Sequence, residues 1–298
     1  MPKKFFKVDL IPALRRLEIL SRGLTSSKLV GAYRSVFKGK GLEFKEYREY
    51  TPADDSNLID WKASAKTNEI LMKEYSEERE VDVFFLVDCS SKMLFGSTQR
   101  LKAEYAIELV ASLSHAILEA GDSVGLALYS DKLKADLLPS RGKTQFYNLS
   151  KVLLNIDYYE GNNFNIRDAT KFIFNFLKKR AVVIIVSDFI NWKEEWEESL
   201  SLLSQKFDVV CIMVRDPRDR IMPEDVGEIV LQDPNTGKTL LIEPGLIKQA
   251  YEHDVKEQEI RIKKSLFKIG IDFADVSTDK SFVKPIINLF LKRALRWR

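Results

Sequence analysis

The feature that most constrains this 298-residue chain is a rhythm that begins at residue 81. Short, strongly apolar runs alternate with stretches whose apolar residues recur every three or four positions. Residues 81–88 (VDVFFLVD), 123–129 (SVGLALY), 181–187 (AVVIIVS) and 208–214 (DVVCIMV) are rich in β-branched and aromatic side chains. Such runs are the signature of strands buried on both faces. Residues 134–138 and 271–276 read as two further strands. Between them, the spacing predicts helices over 99–120, 143–156, 166–179, 192–206, 245–264 and 281–295. Strand and helix alternating at this interval predict an open α/β fold, a doubly wound and mostly parallel sheet with helices on both faces. Turn signals from Asp216-Pro217 to Asn235-Thr236-Gly237 bracket two short strands, 228–232 and 239–242, and predict a β-hairpin inserted near 216–244.

Residues 1–80 break this rhythm. They read as a separate layer or subdomain, with a helix over 10–22, a turn at Thr51-Pro52-Ala53-Asp54-Asp55 and a strand over 70–75. The remainder, 81–298, forms the α/β domain.

Charge is unevenly placed. The formal net charge is +3. Residues 1–50 carry twelve Lys/Arg against five Asp/Glu, residues 283–298 carry five basic residues and no acid, and the body between them is acidic. Basic ends on an acidic body point to an acidic partner surface as well as to solvated faces. Lys38, Lys40 and Lys45 are the candidates in the N-terminal layer. The closing helix sets Ile286, Ile287, Phe290, Leu291 and Leu295 against Lys292, Arg293 and Arg296. That pattern suits either a helix docked on the sheet or peripheral contact with a membrane surface, and docking is the preferred reading.

Several chemistries are excluded or disfavoured. Two cysteines, Cys89 and Cys211, cannot build a disulfide scaffold or a multi-cysteine zinc site. His115 and His253 have no partner motif. Arg141-Gly142-Lys143-Thr144 lacks the first glycine of a phosphate loop, because Leu137 stands there. No apolar run reaches the ~18–20 residues that span a bilayer, and the N-terminus does not read as a signal peptide, so the cytoplasm is the expected compartment. Trp61, Tyr47 and Tyr50 interleave with Lys45, Arg48 and Lys62. Stacking on a nucleic acid strand is one reading, but aromatics anchoring the N-terminal layer is the preferred one, so no nucleic acid partner is expected.

Ligands of open parallel sheets bind beyond the carboxyl ends of the strands. Asp88-Cys89-Ser90-Ser91-Lys92 follows the first strand, Asp188 follows 181–187, and Gly161-Asn162-Asn163 precedes a helix. Acids, hydroxyls and an amide are hard oxygen donors suited to a divalent cation, and are also ordinary helix caps and turn formers.

Asp-x-Ser at the first strand end, an acid at a later strand end and the βα rhythm resemble the von Willebrand factor A-like fold. Gly39-Lys-Gly-Leu-Glu-Phe44, Arg48-Glu-Tyr-Thr-Pro-Ala-Asp-Asp55, Ile59-Asp-Trp61, Ala65-Lys-Thr67 and Asp88-Cys-Ser-Ser-Lys-Met93 with Phe95-Gly96 resemble one bacterial branch of it, catalogued as domain of unknown function fifty-eight. Ser187-Asp188-Phe189, Arg215-Asp-Pro217, Asp233-Pro-Asn-Thr-Gly237 and Ser277-Thr-Asp-Lys-Ser-Phe282 continue the likeness, which covers most of residues 12–293. The resemblance implies a metal-ion-dependent adhesion site holding Mg2+ or Mn2+, with Asp88, Ser90, Asn163 and Asp188 as ligands. It departs at Lys92, where the family motif has its second serine, and at Asn163, where the family has a loop threonine. A divalent ion and an ammonium about 4 Å apart repel by about 8 kcal/mol at an effective dielectric near 20, so Lys92 either points away or replaces the ion. The resemblance further implies a non-catalytic adaptor or chaperone-like partner of a MoxR-type AAA+ ATPase and of membrane-anchored von Willebrand A proteins, with Lys92 among the partner-facing residues. The alternative is a magnesium-dependent hydrolase or phosphotransferase using Asp88 and Asp188.

Overall fold

A computed structural model describes residues 30–33, 43–52, 54–67, 69–76, 81–192, 195–223, 226–233 and 236–296. The helix expected over 10–22, and Lys38 and Lys40, lie outside the described residues.

The apolar runs form a six-stranded sheet. Its strands are β3 (Asp82–Asp88), β4 (Ser123–Tyr129), β5 (Leu133–Ser140), β6 (Val182–Ser187), β7 (Asp208–Arg215) and β10 (Asp272–Ser277). The order is β10-β7-β6-β3-β4-β5. All pairings are parallel except β4–β5, which is antiparallel. The doubly wound, mostly parallel sheet expected from the rhythm is therefore the one found.

The period of two within each run sorts the core into two layers. Val83, Phe85 and Val87 of β3, Ile184 and Val186 of β6, and Val210, Ile212 and Val214 of β7 face one layer. There they meet α2 (Lys102–Glu119), α3 (Gly142–Leu153) and α7 (Val283–Arg296) through Leu109, Leu113, Leu149, Ile286 and Phe290. Phe84 and Leu86, Val183 and Ile185, and Cys211 and Met213 face the other. That layer is closed by α4 (Ile166–Phe176), α5 (Trp196–Lys206) and α6 (Pro244–Lys268) through Ile173, Leu203, Ile262 and Leu266. Burial on both faces explains why these strands show so little polar alternation.

Where β5 doubles back on β4, the backbones come unusually close. A Cβ on Gly125 would lie 2.8 Å from the Pro139 nitrogen and 2.9 Å from the Leu137 carbonyl oxygen. The register shifts between Val124 and Leu126 at that point, as at a bulge that glycine permits.

The N-terminal residues add two features. Residues 30–33 are helical and enter the α2/α7 layer, where the Tyr33 hydroxyl donates to Asp122 at 2.9 Å and its ring meets Phe290 edge-on at 6.1 Å. Separately, β1 (Glu43–Glu49) and β2 (Leu71–Ser76) pair antiparallel around the short helix α1 (Trp61–Thr67). The Thr51–Asp54 turn forms as expected, with the Asp54 carboxylate accepting from Thr51 and Arg48. Asp60 accepts from the backbone N–H groups of Lys62 and Ala63, from Tyr47 and from Lys73. Trp61 and Tyr47, expected as anchors, are instead 69% and 45% exposed. Polar bonds through Asp54 and Asp60 hold this layer's turns. The strand β1 and helix α1 were not foreseen, because their apolar residues are too sparse to set a period.

The expected hairpin is present as β8 (Ile229–Gln232) and β9 (Thr239–Ile242), paired antiparallel outside the main sheet. The closing helix α7 docks through buried Ile286, Leu289, Phe290 and Arg293, leaving Leu291 and Leu295 exposed. Among the described residues no helix is long and apolar enough to cross a membrane.

Candidate functional site

The βα crossovers place the first turn of α2 and the loops after β3, β6 and β7 at one edge of the sheet. An acid marks each strand end: Asp88 closes β3, while Asp188 and Asp216 directly follow β6 and β7. Asp88 ends β3 and is 1% exposed. It accepts the Ser90 N–H at 2.9 Å and the Ser187 hydroxyl at 2.6 Å, so its bonding partners are neutral. Burial, followed by the charge of Asp188, pushes its carboxyl up to about 6. Two of the expected ligands, Asp88 and Asp188, are thus electrostatically adjacent.

Asp188 is also 1% exposed, but it has a cation. The Lys102 ammonium donates to its Oδ2 at 2.7 Å and to Asp219 Oδ2 at 3.1 Å. Lys102 is itself only 1% exposed. Burial works against its charge, yet Asp188 and Asp219 outweigh that, and the ammonium is held above the ordinary lysine range. It is also the first residue of α2, where the macrodipole disfavours a cation. The Phe95 ring lies 5.6 Å from the ammonium.

Lys92 does something else. It is half-buried and donates to the Ile190 carbonyl at 3.2 Å. Burial lowers its affinity for a proton, while Asp188 and Asp88 pull the other way from a distance. The lysine bonded to the site's carboxylate is therefore Lys102, ten positions after Lys92.

The turn after β6 is conformationally unusual. Phe189 and Asn191 both adopt left-handed backbone angles, with φ of 56° and 53°, a conformation uncommon outside glycine. It is held by the Asp188 carboxylate accepting the Ile190 N–H at 2.9 Å, by Ser187 accepting from Trp192, and by Phe189 stacked on Trp192 at 4.2 Å. Backbone strain of about 1–3 kcal/mol per residue persists only where the surroundings over-determine it.

The remaining expected residues fall nearby or outside. Ser90 is fully buried, with its hydroxyl beside the Asp88 carboxylate. Asn163 is half-buried in the loop before α4, and that loop is tied to the first by the Ser91 N–H donating to the Gly161 carbonyl at 3.3 Å. Of Lys45 only its position on β1 is described. Two residues that the sequence marks as part of the family likeness and of a turn, but not as site residues, complete the edge. Asp216 accepts from Ser97, Arg218 and Thr278, knitting three loops together. Arg215 is 1% exposed, and its Nε and Nη2 have no hydrogen-bond partner.

Do these groups suit the divalent cation implied by the resemblance? The buried Ser90 hydroxyl beside Asp88, a second hard oxygen donor, argues for it. Against it, Asp188 already bears an ammonium bond, and a second lysine stands within electrostatic range. Among the described residues no cluster of three or more His, Cys, Asp or Glu is placed to hold a metal. The donor set, with Lys102 in position, does not fit a divalent ion.

A signal for Lys102 existed. The helix that it opens, KAEYAIELVASLSHAILE, is buried on nearly every side, so a lysine in its first turn has to be paired. Which acid pairs it is not written locally.

Comparisons with known proteins follow this architecture. Residues 46–261 match the family described as "Protein of unknown function DUF58". An uncharacterized protein of Mycobacterium tuberculosis (strain H37Rv) is 25% identical over 288 residues, which is 95% of this chain and 90% of the relative. The solved structure of the conserved hypothetical protein BatB from Bacteroides thetaiotaomicron matches with a TM-score of 0.50 and 17% identity, covering 72% of this chain and 99% of that one. A von Willebrand factor type A structure from Catenulispora acidiphila also matches, at a TM-score of 0.38 and 11% identity, over 73% of this chain and 43% of that one. The α/β fold, a mostly parallel sheet flanked by helices, agrees with the sequence reading and is shared with the BatB structure.

Proposed function

The chain belongs to the family described as "Protein of unknown function DUF58", and from that premise we propose that it is a non-catalytic protein-interaction module working through the carboxyl edge of its six-stranded sheet. The observation that carries this reading is the turn after β6. Two non-glycine residues are held in left-handed conformation there, directly beside two buried acids. Strain and buried charge gathered at the ligand-binding edge of an open sheet mark a working surface.

Support for a module over a magnesium-dependent hydrolase or phosphotransferase comes from the side chains at hand. The Cys89 thiol is pushed well up by burial and by Asp88, which leaves it a poor nucleophile. The Ser187 hydroxyl is a donor to Asp88 and an acceptor from Trp192, and no imidazole is bonded to either group.

On the family resemblance, the partner is a MoxR-type AAA+ ATPase, with this chain as its adaptor. Lys92 is the edge cation available to a partner's carboxylate, because it is half-buried and bonded only to a backbone carbonyl. The test is capture of a MoxR-type AAA+ ATPase from the same organism by the immobilised chain in the apo, ADP and ATP-analogue states. Capture that falls at least tenfold with Lys92→Ala, whose fold should persist, is the expected result. No co-elution in any nucleotide state would overturn the adaptor assignment.

A further inference from the structure

We propose that Lys102 is a resident cation: its ammonium supplies the positive charge that the buried acids of this edge require, and the site works without a divalent metal ion. The inference deepens the module reading by saying how the edge is held together.

The argument begins from how unfavourable the position is for a lysine. The side chain is 1% exposed and lies at the positive end of α2, a helix of eighteen residues. A buried, unpaired ammonium loses its hydration with nothing in return. The carboxylates of Asp188 at 2.7 Å and Asp219 at 3.1 Å offset that loss, and they come from loops after two different strands. One ammonium therefore joins the β6 loop, the β7 loop and the start of α2. A multivalent cation would have the same structural task.

Ser90 Oγ is buried beside the Asp88 carboxylate, a further oxygen that a metal ion could use. Asp88 is the acid with no cation of its own, since it is bonded to Ser187 and the Ser90 backbone. Removing the Lys102 charge would leave Asp88 and Asp188 facing each other with no cation bonded to either, and the donor set would then suit Mg2+ or Mn2+.

The experiment titrates Mn2+ against the full chain alone, by calorimetry and by electron paramagnetic resonance of the free ion. Variants are Lys102→Ala, Lys102→Met, Lys92→Ser, Asp88→Asn, and Lys102→Ala combined with Asp88→Asn. The wild type and Lys92→Ser should show no site tighter than millimolar. Lys102→Ala should gain a site at least tenfold tighter, and Asp88→Asn should remove it. A wild type that binds Mn2+ tightly and loses it with Asp88→Asn overturns the proposal. So does a folded Lys102→Ala that gains nothing. If Lys102→Ala fails to fold, it is refolded with and without Mn2+. Rescue by the ion supports the assignment, and where neither lysine variant can be recovered the wild-type titration decides alone. Because no partner is present, metal binding by the wild type would leave the module reading standing, and failed partner capture would leave the resident cation standing.

Discussion

At the scale of single residues, Asp88 is where environment most changes chemistry. Its carboxyl is raised by burial and then by Asp188 to about 6, against an unfolded value near 4. The native state therefore favours the protonated form. The stability that this contributes is present below pH about 4 and is lost as pH rises through about 6. Asp88→Asn keeps an acceptor for the Ser90 N–H and removes the charge. Its thermal midpoint should equal or exceed the wild type's at pH 7.5, with a flatter dependence between pH 4 and 6. Parallel pH profiles for the two proteins would contradict the shift. The sequence marked Asp88, Ser90 and Asp188 because Asp-x-Ser and a strand-final acid are local patterns. It pointed to Lys92 for the cation because Lys92 stands inside the motif. The structure selects Lys102, which meets Asp188 across 86 positions of sequence. Pairing at that range depends on how α2 sits on β6, and no spacing rule carries it.

At the scale of elements, the closing helix α7 shows how a basic amphipathic pattern is resolved by packing. Its sequence suited a membrane surface or a docked helix. In the fold, Arg293 is 1% exposed and reaches the amino ends of two strands, donating to Asp272 at 2.8 Å and to Asp208. A planar guanidinium serves this bridge because its fork can hold two carboxylates at once. Arg293→Ala would leave Asp272 buried without that ion pair, and urea titration should show a loss of about 3–5 kcal/mol. A loss under about 1 kcal/mol would mean that apolar contacts of Ile286 and Phe290 alone dock the helix. The strands were legible at this scale because burial on both faces demands apolar runs, whatever the rest of the chain does. By contrast, β1 and α1 are held by Asp54 and Asp60 through side-chain bonds, which leave no periodic trace.

For the whole molecule, the segregated charge acquires positions. Basic residues of the last helix are split between a buried strut, Arg293, and exposed Lys292, so net charge overstates what that end offers a partner. The β8–β9 hairpin stands apart from the main sheet, and Val230, Leu240 and Leu241 are 63%, 63% and 59% exposed. Surface substitutions away from packed features change stability by at most about 0.5 kcal/mol. Replacing all three with Thr should thus leave the denaturation midpoint within that range, as measured by urea unfolding. A larger fall would show that the hairpin helps to hold the α/β body together.

The sequence by itself determined the layered α/β architecture, the order of its elements after residue 81, and the edge at which acids collect. These follow from periodicity and turn chemistry, which are properties of neighbouring residues. Only the tertiary structure decided which cation meets which acid, that Lys102 and not Lys92 is bonded to Asp188, and that Arg293 is a strut and not a surface charge. Ion pairs form between groups that the fold brings together: Lys102 meets Asp188 across 86 positions and Arg293 meets Asp208 across 85. The physical reason is that burial makes charge pairing obligatory, and burial exists only once the layers have closed.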